Sequence, residues 1–128
     1  YYRDADNDGW GDSGNQKTLC EASGSWDTTT GGDCCDSDSN AKPGQNEWYA
    51  STNNCGSWDY NCNNNTDYQY NKSNVDCNGG GFSGCSVSEA GWDGGRPGCG
   101  SSAKWLKDCN WSWFSCNKTT ENRQQKCR

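Results

Sequence analysis

The sequence predicts a small disulfide-rich fold, mostly irregular, with short antiparallel β-strands. Its 128 residues are only 29% hydrophobic, with a mean hydropathy of −1.26. The large aliphatic side chains are Leu19, Val75, Val87 and Leu106, against 8 Trp, 6 Tyr and 2 Phe. Eleven cysteines give the density that is typical of secreted disulfide scaffolds. A conventional aliphatic core is therefore excluded, and cross-links have to offset much of the entropy lost on folding.

The cysteines are expected to form disulfides. No C-x-x-C pair and no histidine occur, so zinc-finger and redox sites lack their usual ligand spacing. Because eleven is odd, at least one thiol is free, pairs with another chain, or has its partner outside this stretch. The chain starts at Tyr1 without a methionine or a signal sequence, which suggests a processed product or part of a longer protein. No apolar run approaches the length of a membrane span.

Charge divides the chain into two halves. Residues 1–67 carry 12 acidic and 3 basic side chains, a net charge of −9, whereas residues 68–128 carry 5 and 8, a net charge of +3. We therefore expect an acidic module over 1–67 and a Cys/Trp/Arg-rich β module over 68–128. The acidic surface would repel a phosphate backbone, which excludes nucleic acid as a partner of the whole chain. The acidic charge of residues 1–67 favours a cation site instead.

Only short stretches alternate in the manner of β-strands, and no helical period is present. The predicted strands are Glu47–Ser51, Asp67–Lys72, Ala103–Lys107, Asn110–Phe114 and Thr120–Cys127. Asn61–Thr66 and Asn78–Gly84 are predicted to be turns or linkers, because they are rich in Asn and Gly.

The first twelve residues contain the pattern D-x-D-x-D-G-x-x-D, in which carboxylates at alternate positions converge on one cation. The predicted ligands are oxygen atoms of five residues: Asp4, Asp6, Asp8, Asp12 and the carbonyl of Trp10. Gly9 permits the sharp turn. Asn15 stands where an EF-hand loop has its bidentate glutamate, so this loop needs oxygen ligands from elsewhere. The pattern indicates Ca²⁺, and calcium-stapled loops complete the predicted fold class.

A second acidic cluster can supply the missing ligands. It contains Asp33, Asp36 and Asp38 beside two adjacent cysteines, and Asp59 is a further candidate. The alternatives are a solvated acidic surface or a catalytic carboxylate pair, although no pattern marks out such a pair.

Four motifs, in the same order, resemble the MopE-like metal-binding repeats of bacterial secreted and cell-surface proteins. They cover about half the chain: Tyr1–Asp12, Gly32–Asp38, Lys42–Gln45 and Trp58–Cys62. The first loop is also similar to a thrombospondin type 3 calcium loop. The resemblance implies an extracellular, calcium-ligating module with little regular secondary structure. It also implies disulfides between Cys20 and Cys34 and between Cys35 and Cys55.

The second half resembles part of a thrombospondin type 1 repeat, in Trp111–Cys116, Thr120–Arg123 and Cys127–Arg128. That resemblance implies alternating layers of tryptophan and arginine. A guanidinium over an indole contributes about 0.5 to 2 kcal/mol, and such layers can replace an aliphatic core. We expect Arg123 to lie over Trp111 or Trp113.

Two features of the sequence concern glycans. Exposed indoles can stack on sugar rings, and Trp92, flanked by glycines, is expected to be the most exposed indole. Four asparagines begin N-x-S/T and are candidate glycosylation sites: Asn64, Asn71, Asn110 and Asn117.

Together these patterns favour an extracellular, calcium-binding, disulfide-stabilised structural module of a surface or matrix protein, without enzymatic activity. The opposite charges of the two halves and the odd cysteine favour self-association, as in a filament subunit, or contact with other surface proteins. A carbohydrate-binding module of a secreted hydrolase is the alternative. A small hydrolase is disfavoured because no histidine and no recognisable nucleophile setting are present.

Overall fold

The computed structural model describes residues 1–79 and 84–128. These ranges contain no helix, and hence none that could cross a membrane. They contain short strands and disulfides, which confirms the predicted small, disulfide-rich and mostly irregular fold. The strands are β1 Tyr2–Arg3, β2 Gly11–Gln16, β3 Gly31–Asp33, β4 Gly91–Trp92, β5 Ser102–Ser112 and β6 Ser115–Gln124. Residues 80–83, within the predicted linker Asn78–Gly84, lie outside the described residues.

The chain divides into two compact units. The first unit contains Tyr1–Asp67 together with Cys127–Arg128, and the second contains Tyr68–Lys126. The last two residues therefore differ from the sequence assignment, which placed them in the second module. They join the first unit because the backbone of Cys127 exchanges two hydrogen bonds with Tyr49, both of 2.9 Å, and Arg128 exchanges two with Asp67.

The first unit has a small sheet in the order β1-β2-β3, with β1 and β2 antiparallel and β2 and β3 parallel. Glycine is required at Gly11, because a Cβ there would overlap the Cβ of Tyr2. The core of this unit is Cys35, Ala41 and Tyr60, with the ring of Tyr49 stacked on Tyr60 at 3.7 Å between centroids. Glu47–Ser51 was predicted to be a strand, but it contributes only an isolated bridge at Tyr49.

The disulfides of the first unit differ in part from those that the resemblance implied. Cys35 pairs with Cys55 as expected. Cys34 pairs with Cys62, however, and Cys20 is an exposed free thiol, so the Cys20–Cys34 prediction was wrong. Both partners of the adjacent cysteines come from residues 54–62, a segment that also contacts Ser37 through the Asn54 amide, at 2.8 Å.

Disulfides also cross-link the second unit. Cys77 pairs with Cys109 and Cys85 with Cys116, and both partners lie in the β5–β6 hairpin. Cys99, in the second unit, and Cys127, in the first, are disulfide-bonded as well, and the described residues contain five disulfides in all. This many cross-links indicates that the protein folds in an oxidising environment.

The second unit is built on a sheet in the order β4-β5-β6. The hairpin of β5 and β6 is longer than predicted, since Ala103–Lys107 and most of Asn110–Phe114 belong to one strand. A bulge between Leu106 and Asp108 shifts the side-chain alternation there, which is why the sequence showed two short strands. Asp67–Lys72 was predicted to be a strand, but forms none.

The buried core of the second unit contains aromatic rings together with a cluster of Val75, Leu106 and Cys109. Trp92 is fully buried, packs edge-on against Trp105 at 5.2 Å between centroids, and donates its indole N–H to the Tyr70 carbonyl at 3.0 Å. The prediction that Trp92 is exposed was therefore wrong. Arg123 lies over Trp105 at 4.4 Å and over Tyr70 at 5.0 Å, in place of the predicted Trp111 or Trp113.

The location of this stack follows from the hairpin register. Arg123 pairs with Ala103 near the open end of the hairpin, two residues from Trp105 on the opposing strand. Trp111 pairs with Cys116, and Trp113 lies in the turn at the closed end. A regular antiparallel register keeps these two ends apart, so neither indole can reach the guanidinium along one face of the sheet.

The turn of the hairpin displays two aromatic side chains. Trp113 and Phe114 are 92% and 94% exposed, and both have positive φ, 52° and 61°. Two-residue turns with this backbone favour Asn-Gly, because β-carbons disfavour the left-handed region. These two residues therefore destabilise the hairpin. Because both side chains are exposed, contacts with the other described residues do not compensate for this loss of stability.

Candidate metal centre

Two acidic segments converge in the first unit. The loop that follows β1 contains Asp4, Asp6 and Asp8, and the segment that follows β3 contains Asp36. The N–H of Ala5 donates to Asp36 Oδ1 at 2.7 Å, and Arg3 Nε lies 3.0 Å from Asp36 Oδ2. The structure thus brings together the first loop and part of the second cluster. The role of Arg3 in joining them was missed from the sequence.

Hydrogen bonds within the first loop fix its shape. The buried Asp4 carboxylate accepts from the N–H of Asp8 at 3.1 Å and of Gly9 at 2.9 Å. Asp8 Oδ1 accepts from the N–H of Trp10 at 2.8 Å. Asn7 and Gly9 have φ of 62° and 92°, which lets the chain wrap around its own carboxylates. One oxygen from each of Asp4, Asp6 and Asp8 consequently lies within 4.8 Å of the others.

A second group shares one residue with the first. Carboxylate oxygens of Asp6, Asp33 and Asp36 also lie within 4.8 Å of one another. Asp33 is held by the N–H of Cys35, which donates to its Oδ1 at 2.8 Å. Asp6 therefore belongs to both groups, and the five carboxylates form one continuous acidic centre that could hold a metal ion.

Several carboxylate oxygens in this centre are buried without a hydrogen-bond donor. They are both oxygens of Asp6, Oδ2 of Asp8 and Oδ2 of Asp33. Asp36 Oδ2 is also buried, and the Arg3 guanidinium is its counter-charge. Burying an ionised carboxylate without a partner costs several kcal/mol. A cation placed among these oxygens would remove that cost.

The pKa values of the carboxyl groups also indicate that the acidic centre lacks compensating positive charge. Burial, followed by the charges of Asp8, Asp4 and Asp36, raises the pKa of Asp6 to about 6. Burial and the neighbouring carboxylates also raise the pKa of Asp33 to about 6. Burial raises the pKa of Asp8 as well, although the charge of Lys42 acts in the opposite direction. A bound cation would lower all three.

The structure does not place the other predicted carboxylate ligands in this centre. Asp12 accepts from the N–H of Gly14 and the amide of Asn15, and these bonds lower its pKa. Asp38 accepts from Asn40 and Asn54, and Asp59 from Asn63 and Asn64, all through backbone N–H groups. Within the described residues, none of the three belongs to a metal-compatible group. The Trp10 carbonyl stays a predicted ligand.

A further group, Asp33 with Cys34 and Cys62, has compatible distances but the wrong chemistry. Its two sulfur atoms form a disulfide and cannot act as thiolate ligands. The donors available at this end of the unit are therefore oxygen atoms.

The candidate glycosylation sites Asn64, Asn71, Asn110 and Asn117 are all exposed. Exposure is required of a glycan acceptor but does not distinguish one from an ordinary surface asparagine, so modification at these positions stays a prediction.

Comparison with known proteins adds no relative. No protein-family model, no curated protein and no solved structure matches this chain. The resemblance to the MopE-like repeats and to the thrombospondin repeats accordingly stays a prediction, and the acidic centre has to be interpreted from its own geometry.

Proposed function

We propose that the first unit is a calcium-binding structural module. The observation that carries the proposal is the convergence of buried carboxylate oxygens from Asp6, Asp8 and Asp33 that lack a hydrogen-bond donor. Calcium fits this donor set best, because it takes six to eight oxygen ligands in flexible geometry. Zinc and copper favour imidazole and thiolate, whereas the chain has no histidine. Magnesium demands octahedral geometry and keeps several waters.

The role of the ion in this proposal is mechanical. Ca²⁺ joins the loop after β1 to the segment after β3. Two disulfides cross-link the latter segment to Cys55 and Cys62. The unit belongs to an extracellular surface or matrix protein, where free calcium is abundant and thiols are oxidised. The proposal includes no catalytic role, because the close carboxylates serve as ligands. It does include self-association, supported by the opposite net charges of the two halves.

Protease challenge with and without calcium tests the proposal. At free Ca²⁺ about 100 times the dissociation constant, binding adds about 2.7 kcal/mol to the stability of the first unit. We expect EDTA to expose cleavage sites within residues 1–67, located by mass spectrometry, while the second unit serves as an internal control. Magnesium at the same concentration is the matched ion control. Identical cleavage patterns in calcium and in EDTA would contradict the proposal.

Calcium affinity is expected to decrease as the pH falls from 7.5 to 5. Protons compete with the ion at Asp6 and Asp33, whose pKa values are about 6 without it. At pH 5 each group would be about nine-tenths protonated, so affinity should fall by roughly one to two orders of magnitude. Isothermal titration calorimetry at pH 5, 6 and 7.5 measures this.

The stability of the metal-free unit should change in the opposite direction. An aspartate whose pKa is raised by folding destabilises the folded state at neutral pH, and this penalty is lost as the pH falls through about 6. In EDTA, the urea midpoint of the first unit should therefore be higher at pH 5 than at pH 7. A midpoint that falls over this range would show that the carboxylates are already compensated within the protein.

Carbohydrate binding is the second candidate, and one observation favours it. The Trp113 indole is 92% exposed and could stack on a sugar ring. The adjacent polar groups are already engaged, because Ser115 Oγ and the Asn117 amide donate to the Ser112 carbonyl at 3.2 and 3.0 Å. This leaves few groups to bond sugar hydroxyls, so we rank it below calcium binding. A glycan array, with Trp113→Ala as control, tests it.

A further inference from the structure

The described residues leave the outer edge of β6 unpaired. This strand, Ser115–Gln124, pairs with β5 on one side and is last in the sheet order β4-β5-β6. Among residues 1–79 and 84–128, no strand pairs with its other side. It is ten residues long, contains no proline, and exposes most of its side chains. Edges of this length are templates for strand addition, and proteins that avoid it shorten or interrupt them.

The backbone groups that face outward can be identified from both ends of the strand. The N–H of Gln125 donates to the Ser101 carbonyl, and its carbonyl accepts from Gly100, both at 2.8 Å, so Gln125 faces the β5 side. Ser115 closes the two-residue turn with Ser112, and a closing pair also faces inward. Alternate residues between these ends therefore direct N–H and C=O outward: Cys116, Lys118, Thr120, Asn122 and Gln124.

We propose that this edge pairs with the same edge of a second copy of the chain. The two β6 strands run antiparallel, with a two-fold axis at Thr120. Thr120 then opposes itself, Lys118 opposes Asn122 of the second copy, and Cys116 opposes Gln124 of the second copy. Every outward backbone group finds a partner, and the two three-stranded sheets become one sheet of six strands.

Self-complementarity favours a second copy over an unrelated strand. In this register no charged side chain of β6 directly opposes another, and the central Thr–Thr pair is a favourable cross-strand pair. Moving the register by one pair in either direction leaves an outward residue at each end unmatched. One of these shifts also sets Glu121 opposite Glu121 of the second copy, which like charges disfavour. An isologous contact of this kind produces a closed dimer.

The contact between the two β6 strands does not involve the acidic centre, so it is independent of the proposed calcium function. It is tested by the molar mass of the full chain in saturating calcium, measured by sedimentation equilibrium. We expect about twice the monomer mass of 14.0 kDa. Thr120→Lys and Thr120→Glu should each be monomeric, because like charges meet at the two-fold axis. An equimolar mixture of the two should restore the dimer mass. Thr120→Val is the matched control and should remain dimeric.

A proline variant probes the backbone directly. Thr120→Pro removes an outward N–H without breaking a bond to β5, a position that edge strands tolerate. We expect at least ten-fold weaker association with an unchanged far-ultraviolet circular dichroism spectrum. A wild-type chain that stays monomeric up to about 1 mM would overturn the proposal. A dimer that persists in both charge variants would also overturn it, because the contact would then lie elsewhere. A mixture that fails to reassociate would overturn it as well, because the side chains at position 120 of the two copies would then not meet.

Discussion

Replacing Asp6 by asparagine is expected to lower calcium affinity by about 100-fold. Asp6 is the residue that the two carboxylate groups share, and both of its oxygens are buried without a donor. A carboxylate oxygen about 2.4 Å from Ca²⁺ attracts it by roughly 3 kcal/mol even at the dielectric constant of water. Asparagine keeps one oxygen ligand but removes the charge and the second oxygen, so the loss measures these two together. Isothermal titration calorimetry gives the two dissociation constants.

The matched control is Asp27→Asn, which removes the same charge from an exposed position outside the acidic centre. Its affinity should stay within about two-fold of the wild type, because screening weakens exposed charges at a distance. In EDTA, Asp6→Asn should be more stable than the wild type, since it relieves repulsion among the carboxylates. Equal affinities for the two variants would show that calcium binds elsewhere.

Removing the Cys35–Cys55 disulfide should destabilise the first unit by about 3 kcal/mol. The bridge closes a loop with a sequence separation of 20 residues, for which chain entropy gives a cost of this size. Cys35 also belongs to the buried core with Ala41 and Tyr60. The double substitution Cys35→Ala with Cys55→Ala avoids burying a hydroxyl, and urea unfolding in saturating calcium measures the change.

This variant should lose calcium affinity as well, because Cys35 lies between Asp33 and Asp36 and its N–H orients the Asp33 carboxylate. Cys20→Ala is the matched control: it removes an exposed free thiol and should change stability by less than about 0.5 kcal/mol. A control variant as destabilised as the double variant would show that Cys20 has a structural partner and that the assigned pairing is wrong.

Local patterns in the sequence were sufficient to predict the fold class and part of the acidic centre. The spacing of Asp4, Asp6 and Asp8 acts over a few residues, and Gly9 supplies the backbone conformation that the turn requires. A short loop of this kind depends little on the rest of the chain. The prediction that Asp33 and Asp36 join it rested on a missing ligand, and the structure brings both of them to Asp6.

The spacing of the aspartates could not show which of them join the acidic centre. Asp38 and Asp59 stand in acidic or polar stretches as Asp33 and Asp36 do, yet their oxygens accept backbone N–H groups of nearby asparagine residues. An aspartate that bonds to a backbone two or more residues ahead is a common turn device. Which role it takes depends on whether another segment approaches, and the sequence does not report that.

Long-range pairings were the other source of error. The Cys20 pairing and the Arg123 stack were assigned from family resemblances and Trp92 from its neighbours in the sequence. The partners of Trp92 and Arg123 instead come from segments far along the chain. Trp92 is the clearest case: flanking glycines suggested exposure, but Gly91 is itself buried and a Cβ on it would overlap a methyl group of Val75. The glycine there allows close approach of another segment, and that approach covers the indole.

The scarcity of aliphatic side chains in the core of the first unit has a thermodynamic consequence. Unfolding increases heat capacity mainly through newly hydrated apolar surface, and the core of the first unit consists of a cystine, an alanine and a tyrosine. Its increment per residue should fall below the usual 12 to 15 cal/mol/K, which flattens the dependence of stability on temperature. Warming or chilling would then matter less to this protein than loss of divalent ions or exposure to a reductant.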